Sequence, residues 1–471
     1  MTDDPMTRDT GPLPGQMAPC ILPPPVLDPG TGAAGTPGEL LDHLAGAGSE
    51  ALRLLGFRTR LQVVARAGSR FLDPADPLRR EALERLPEEA HLSRRGAEEL
   101  LDGMARDWTL DRLATAIRAD FPDPDVLDGF RPGVRGDRLR VVPPRLLVQV
   151  GAGNVPGTGA TALLRGLLVG APTLLKPGAG DLVLPELMAR ALQSESDPLA
   201  QALAVTGWKG GEGGALERAA LRRADRVVVY GGEEAVAAVR ALTGPLTPLV
   251  VYGPRVSAGL VLRDATGSQA VVEDAAAAVA AYEQRGCVSP HLVWVQPGGV
   301  RSPEAWAEAL ASALDRRPGD APPSARPVHA MRALREAAEF RGAAGRRDRV
   351  WGGPAEGWMV LYEEDAGDER PRPFEPSCLG RTVRVRPLPD PGELARVLAP
   401  VRSVIQSVAL EGAEPGRTTT ALILARAGVT RVTTFRDQPW PPAWWKHDGR
   451  GPLAALVQWV TLEPADRAGP P

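Results

Sequence analysis

Between residues 145 and 176 the chain reads RLLVQV, GAGNVPGTG, ATALLRGLLVG and APTLLK in immediate succession. A short apolar run, a glycine-rich turn, a helix-length apolar stretch and a second short apolar run form a strand–helix–strand unit, because a parallel return needs a crossover and the helix supplies it. The pattern recurs where RVVVY (226–230) meets Gly231 and Gly232 and then EEAVAAVRAL. Two such transitions predict an α/β protein with a doubly wound sheet, whose ligand lies at the carboxyl ends of the strands.

The flanks fit around that sheet. Residues 1–38 are rich in Pro and Gly without apolar periodicity, which predicts a disordered tail. Leu40, Leu41 and Leu44, and later Leu100, Leu101, Met104, Trp108, Leu113 and Ile117, fall at helical spacing, so 39–250 is expected to hold a helical lead-in and the nucleotide-binding domain. Two strand-like runs, LVVYG and SAGLVLR, then lead into an expected catalytic domain, 251–435, in which the alanine-rich helix VEDAAAAVAAYEQ is predicted to continue to Gly286. Polar stretches at 314–328 and 363–376 read as surface excursions. The segment 436–471, with Trp440, Trp444, Trp445 and Trp459, is expected to return to the core or to form an oligomer interface.

Charge and cysteine usage narrow the chemistry. A net charge of −3 and a pI near 6.1 give no general attraction to phosphate backbones, so nucleic acid is not an expected partner. No apolar run is long enough to span a bilayer and the start lacks the apolar core of a secretory signal, so a cytoplasmic location is the expectation. Cys20, Cys287 and Cys378 are an odd, widely spaced set without a CxxC pair or a His/Cys cluster. That predicts neither a disulfide framework nor a metal site, and leaves thiol chemistry.

Cys287 stands in EQRGCVSPHLVWV, at a helix-to-strand junction from which a thiol can reach a cleft; a small buried side chain is the alternative. Asn154, in the glycine-rich turn, offers a carboxamide donor for the oxyanion formed when a thiolate attacks an acyl carbonyl, though Asn beside Gly is also a common turn residue. Lys176 ends the second strand, where a cation meets a nucleotide's ribose or phosphate, or only solvent. Gly231 and Gly232 admit a pyrophosphate to a helix N-terminus, and a plain strand-to-helix turn would look the same. His447 could tune the thiol, donate a proton to an aldehyde oxygen, or pack among aromatic rings.

In order, GAGNVPGTGATALLRGLLVGAPTLLKPGAGD, DRVVVYGG, YGPRVS, QRGCVSP and KHDGRGPLAALVQWVTLE resemble the LuxC-type acyl-CoA reductases, the fatty-acid reductase subunits of bacterial light organs and their relatives, within the aldehyde dehydrogenase superfamily. The likeness runs from about Phe71 to Glu463. It implies an aldehyde dehydrogenase-like fold with a Rossmann-type nucleotide-binding domain, a catalytic domain and a small oligomerisation element, hence a homo-oligomer. It further implies that Cys287 is the acylated nucleophile, Asn154 the oxyanion-hole asparagine, Lys176 the ribose-binding lysine and Gly231 with Gly232 the pyrophosphate turn. His447 and Gln284 occupy family-like positions, and Glu375 in PFEPSCLGR stands where a glutamate binding the nicotinamide ribose would. His291 replaces a usual glutamine and receives no role; Cys378 reads as a small buried residue.

Two departures shape the implied reaction. The stretch VVYGPRVS lacks the water-activating glutamate of hydrolytic relatives, which favours reduction of a thioester over oxidation of an aldehyde. Ala179 replaces the glutamate that in NAD-preferring members would repel a 2′-phosphate, so NADPH is expected, with NADH as the second option. The implied donor is acyl-CoA or a carrier-bound acyl thioester, with a partner acyl-protein synthetase as a further source. Two rivals stand beside this reading: reduction of an acyl phosphate to a semialdehyde, and a catalytically silent scaffold binding a nucleotide or an acyl-carrying partner.

Overall fold

The computed structural model describes residues 36–208, 214–317, 319, 325–364 and 370–464. The expected tail therefore lies outside the described residues except at its last three positions. There Thr36 and Glu39 form a reciprocal capping box that starts the helix Pro37–His43. Cys20 and parts of the two polar excursions also lie outside. Among the described residues no helix is long and apolar enough to cross a membrane.

The predicted strand–helix–strand units build a five-stranded parallel sheet, in the order Leu203–Val205, Thr173–Lys176, Leu147–Val150, Arg226–Tyr230 and Leu249–Tyr252. From Leu147–Val150 the chain first winds to one side and later to the other, so the topological switch lies between this strand and Arg226–Tyr230. The turns carrying Asn154 and Gly231 leave the sheet beside that switch, where ligands of doubly wound sheets bind.

The glycines of the first turn have a packing reason. A Cβ on Gly153 would lie 1.5 Å from the Ala179 carbonyl oxygen, and one on Gly178 would lie 2.2 Å from the Ala152 carbonyl carbon. The loops leaving two neighbouring strands thus meet backbone to backbone, which only glycine permits. Asp181 fastens the pair: fully buried, it accepts from Gly157 N at 2.6 Å, Gly159 N at 2.7 Å and Thr158 Oγ1 at 3.0 Å, at the start of the helix Thr158–Leu168. Burial pushes its carboxyl up to about 7 against the pull of those donors.

The lead-in is helical as expected. Phe57–Ser69, Pro77–Ala90, Arg94–Arg106 and Leu110–Asp120 share one apolar core with the helices Thr158–Leu168 and Val183–Glu195. LVVYG and SAGLVLR are consecutive in sequence but belong to different sheets. The chain passes from the first to the second after Tyr252, and Val256–Val261 becomes an interior strand of a seven-stranded sheet. Its neighbours are Pro290–Val295 and Ile405–Glu411, both parallel to it.

A third, three-stranded antiparallel sheet joins Arg131–Pro132, Arg138–Val142 and Gln458–Leu462, so the end of the described chain pairs with a strand from before the first sheet. Val142, Trp459 and Leu462 are exposed on it.

Candidate active site

The helix expected to reach Gly286 stops earlier, running Gln269–Ala280. Tyr282, Glu283 and Gln284 then take left-handed conformations with φ of 55°, 52° and 60°. Each costs a non-glycine residue roughly 1–3 kcal/mol unless its surroundings impose it. They do so here. Tyr282 Oη donates to the Pro439 carbonyl at 2.9 Å and its ring meets Trp440 edge-on at 5.2 Å. Gln284 donates to the Thr382 and Pro290 carbonyls at 2.7 and 2.9 Å and accepts from Thr382 N at 2.8 Å. The strained turn is clamped between the C-terminal segment and the second sheet, and it delivers Cys287 into a cavity of about 1050 Å³.

That cavity lies where the helical lead-in, both large sheets and the C-terminal segment meet, and it is lined by Asn154, Gly231, Gly232, Cys287 and His447 among others. Asn154 is exposed, and its Nδ2 donates to the Arg285 carbonyl at 2.8 Å, two residues before the thiol. The bond joins the glycine-rich turn to the turn before the thiol and uses one of the two amide hydrogens of Asn154. Ser257 Oγ anchors the other side of the turn by donating to the Cys287 carbonyl at 2.8 Å.

Electrostatics set the resting state. Burial, and after it the Asp448 carboxylate, push the Cys287 thiol up to about 11, while a Gln406 side-chain hydrogen bond and the Arg255 guanidinium pull the other way. The free protein thus holds a thiol at neutral pH. His447 is sandwiched between Tyr252 at 4.2 Å and Trp445 at 4.5 Å, with Tyr230 stacked behind Tyr252 at 4.7 Å. Burial pushes its imidazole down to about 4, so it is neutral at pH 7 and only weakly basic.

Other sequence candidates sit elsewhere. Lys176 is at the carboxyl end of its strand, outside the cavity lining; burial lowers its ammonium pKa, and Glu217 of the helix Ala215–Arg223 opposes that. Glu375 also lies outside the lining, ion-paired to Arg386 at 2.7 Å and Arg384 at 3.4 Å, whereas the following Ser377 and Leu379 do line it. Cys378 is half-buried, its Sγ 3.6 Å from the Leu379 carbonyl. His291, by contrast, does line the cavity; it is buried, and its Nδ1 accepts from Ser377 N at 3.2 Å.

Of the tryptophans, Trp440 packs on the Gly103 backbone, Trp444 lies under Arg112 at 4.5 Å and Trp445 covers His447. Sequence reasoning missed Gln406, Arg255 and Asp448. The available signal was a Gln inside the strand SVIQSVAL and a carboxylate beside the chosen histidine.

A family model described as acyl-CoA reductase (LuxC) matches residues 57–459. The long-chain acyl-protein thioester reductase of Aliivibrio fischeri is 26% identical over 185 residues, a match spanning 39% of this chain and 38% of that protein. Long-chain acyl-protein thioester reductase 2 of Photobacterium leiognathi is 22% identical over 354 residues, spanning 74% of this chain and 70% of its own. Among solved structures, an NAD-dependent benzaldehyde dehydrogenase from Corynebacterium glutamicum superposes with a TM-score of 0.65 at 16% identity, over 91% of this chain and 90% of that one. The aldehyde dehydrogenase-like α/β fold expected from the sequence is thereby shown.

Proposed function

Because the chain belongs to the acyl-CoA reductase (LuxC) family, we propose that it accepts an acyl group from a thioester onto Cys287 and releases it as an aldehyde, with NADPH as reductant. The observation that carries this reading is the meeting of Cys287 and Asn154 in one cavity, tied by the Asn154–Arg285 hydrogen bond. Thiol, carboxamide donor and room for a substrate are what acyl transfer to sulfur requires.

The steps balance. The carbon–sulfur bond to the carrier breaks as a carbon–sulfur bond to Cys287 forms, and the Cys287 proton ends on the departing thiol. Asn154 donates to the carbonyl oxygen as it gains charge. His447 lines the same cavity; with its imidazole pushed down to about 4 it is too weak a base to take the proton of a thiol pushed up to about 11, and no step here is routed through it. Tyr252, stacked on His447, stands in the stretch where hydrolytic relatives carry their water-activating glutamate, so the acyl-enzyme is left without that base. A reduced nicotinamide, when bound, supplies the hydride to the acyl carbon. Collapse of the resulting hemithioacetal alkoxide expels Cys287 as thiolate, which takes a proton from solvent to return to the resting thiol; the collapse itself needs no proton on oxygen.

The chain fits such a cofactor at Gly231 and Gly232. Gly232 caps the helix Glu233–Leu242 without a side-chain hydrogen bond, and a Cβ there would meet nothing within 4 Å. The helix N-terminus and the open space beside Gly232 are what a pyrophosphate needs, although the Gly231 N–H is taken by the Tyr252 carbonyl at 3.1 Å and Glu233 and Glu234 are unfavourable charges nearby. Lys176 would take the adenosine ribose, with the exposed Ala179 leaving room for a 2′-phosphate. Glu375, if it meets the nicotinamide ribose, must leave its arginine partners to do so.

The matched relatives are named for long-chain acyl-protein thioesters. Met104, Trp108, Leu113, Leu164 and Leu168 give this cavity an apolar wall of the kind an aliphatic chain requires. Acyl-CoA is the simplest donor, with an acyl-protein synthetase as the alternative source. Val142 and Leu462 are exposed on one face of the three-stranded sheet, and that face is where a second copy would bind; a sedimentation mass of one chain would refute that homo-oligomer.

Intact mass after mixing with a long-chain acyl-CoA tests the main reading. We expect a gain equal to the acyl group, discharged with release of aldehyde on adding reduced cofactor, faster with NADPH than with NADH. No adduct with any thioester donor would favour the silent scaffold.

A further inference from the structure

A second cavity, of about 550 Å³, adjoins the one that holds Cys287, and Tyr282, Arg436, Pro439 and Trp440 line both. One helix runs past the two. Along Arg94–Arg106, Gly96 and Leu100 line the second cavity and Gly103 and Met104 the first, positions that share one side of a helix. From Gly96 to Met104 that helix rises about 12 Å. Trp440 marks the junction: a side chain on Gly103 would run into its ring, so the glycine is what lets the indole lie against the helix where the two spaces meet.

The two spaces differ in chemistry. The first offers the apolar wall already described, whereas the second is lined by Arg95, Arg316, Arg317, Arg381 and Arg436. Arg95 pairs with Glu99 at 2.9 Å and Arg316 pairs with Glu273. Arg317 is half-buried, and its Nε is shielded from solvent without a hydrogen-bond partner among the described residues. An N–H held out of water with no acceptor is destabilising, and an anionic oxygen would satisfy it. Arg436 is exposed and makes no ion pair among the described residues. Asp274 and Glu283 are the carboxylates left to oppose Arg317, Arg381 and Arg436, so positive charge prevails.

We propose that the second cavity takes the phosphate end of the acyl donor's carrier arm, a phosphopantetheine, through Arg317 and Arg436. The inference rests on the thioester reading above and says how its donor is held. With the acyl chain on the apolar wall and its carbonyl at Cys287, the rest of the donor has to leave the first cavity. The way along Arg94–Arg106, past Trp440, ends among guanidinium groups, whose planar forks suit phosphate oxygens. Coenzyme A and carrier proteins share this arm, so the site serves either.

Two donors that differ by one phosphate test the assignment: the same long-chain acyl group on 4′-phosphopantetheine and on pantetheine. Acylation of Cys287 is timed by intact mass, without cofactor. The wild-type protein should prefer the phosphorylated donor by about tenfold, the scale of one charge-assisted hydrogen bond. In Arg436→Met and in Arg317→Met, which keep an apolar stem and remove the charge, the preference should fall to about twofold or less. It should also shrink in wild type at about 0.5 M salt. Because the preference is a ratio within one protein, a general loss of activity in a variant cancels.

Equal rates from both donors in the wild type, or a preference that either variant keeps in full, overturns the proposal. Should neither donor load Cys287, the thioester reading fails instead, and calorimetric binding of 4′-phosphopantetheine itself decides. Affinity weakened about tenfold by Arg436→Met supports the site. Binding that is absent, indifferent to the substitution, or abolished by excess NADPH overturns it.

Discussion

Cys287→Ala is expected to form no acyl adduct and to lose thioester reduction by at least about 10⁴-fold, measured as aldehyde released per enzyme. The size follows from the route: without sulfur no covalent acyl-enzyme exists, and the carbonyl must be reduced while still on its carrier, unanchored. The loss cannot be assigned to misfolding, because Cys287 is only half-buried and the turn that carries it is held by Tyr282, Gln284 and Ser257. Removing one sulfur from this half-buried residue should change stability by no more than about 1 kcal/mol in urea unfolding. Cys287→Ser sharpens the test, since a hydroxyl at the same place is a far weaker nucleophile at neutral pH and should also fail to accumulate adduct. An alanine variant that reduces acyl-CoA at the wild-type rate would remove Cys287 from the chemistry.

What could be read in the chain before folding follows from how local each feature is. The strand–helix–strand units around Asn154 and Gly231 were legible because apolar runs and glycine turns are written within about thirty residues. The end of the alanine-rich helix was not. Ala281–Gln284 continues a composition that suits a helix, and the left-handed turn exists because Pro439, Trp440 and Thr382, distant in the chain, grip it.

The site divides in the same way. Cys287 and Asn154 lie at junctions that sequence marks, but Gln406 reads as one polar residue in an apolar strand, and only the fold brings it to the cavity that Cys287 also lines. In KHDG attention fell on the titratable ring. The fold gives that ring an aromatic sandwich and gives the neighbouring Asp448 the charge that the thiol feels.

Asn154→Ala should slow acylation of Cys287 by roughly 10²–10³-fold, the usual loss when one oxyanion donor is removed. The structure gives Asn154 two jobs that must be told apart: it tethers the Arg285 carbonyl at 2.8 Å, and it offers a remaining amide hydrogen to the cavity. Iodoacetamide separates them, because alkylation of sulfur develops no oxyanion. If the tether were the whole contribution, the variant would misplace the thiol and lose alkylation and acylation alike. If Asn154 binds the oxyanion, acyl transfer falls while alkylation stays within a few-fold of wild type. The side chain is exposed, so losing its one hydrogen bond should cost no more than about 1 kcal/mol of stability. A matched loss in both reactions would reduce Asn154 to a clamp on the Cys287 turn and leave oxyanion stabilisation to backbone N–H groups.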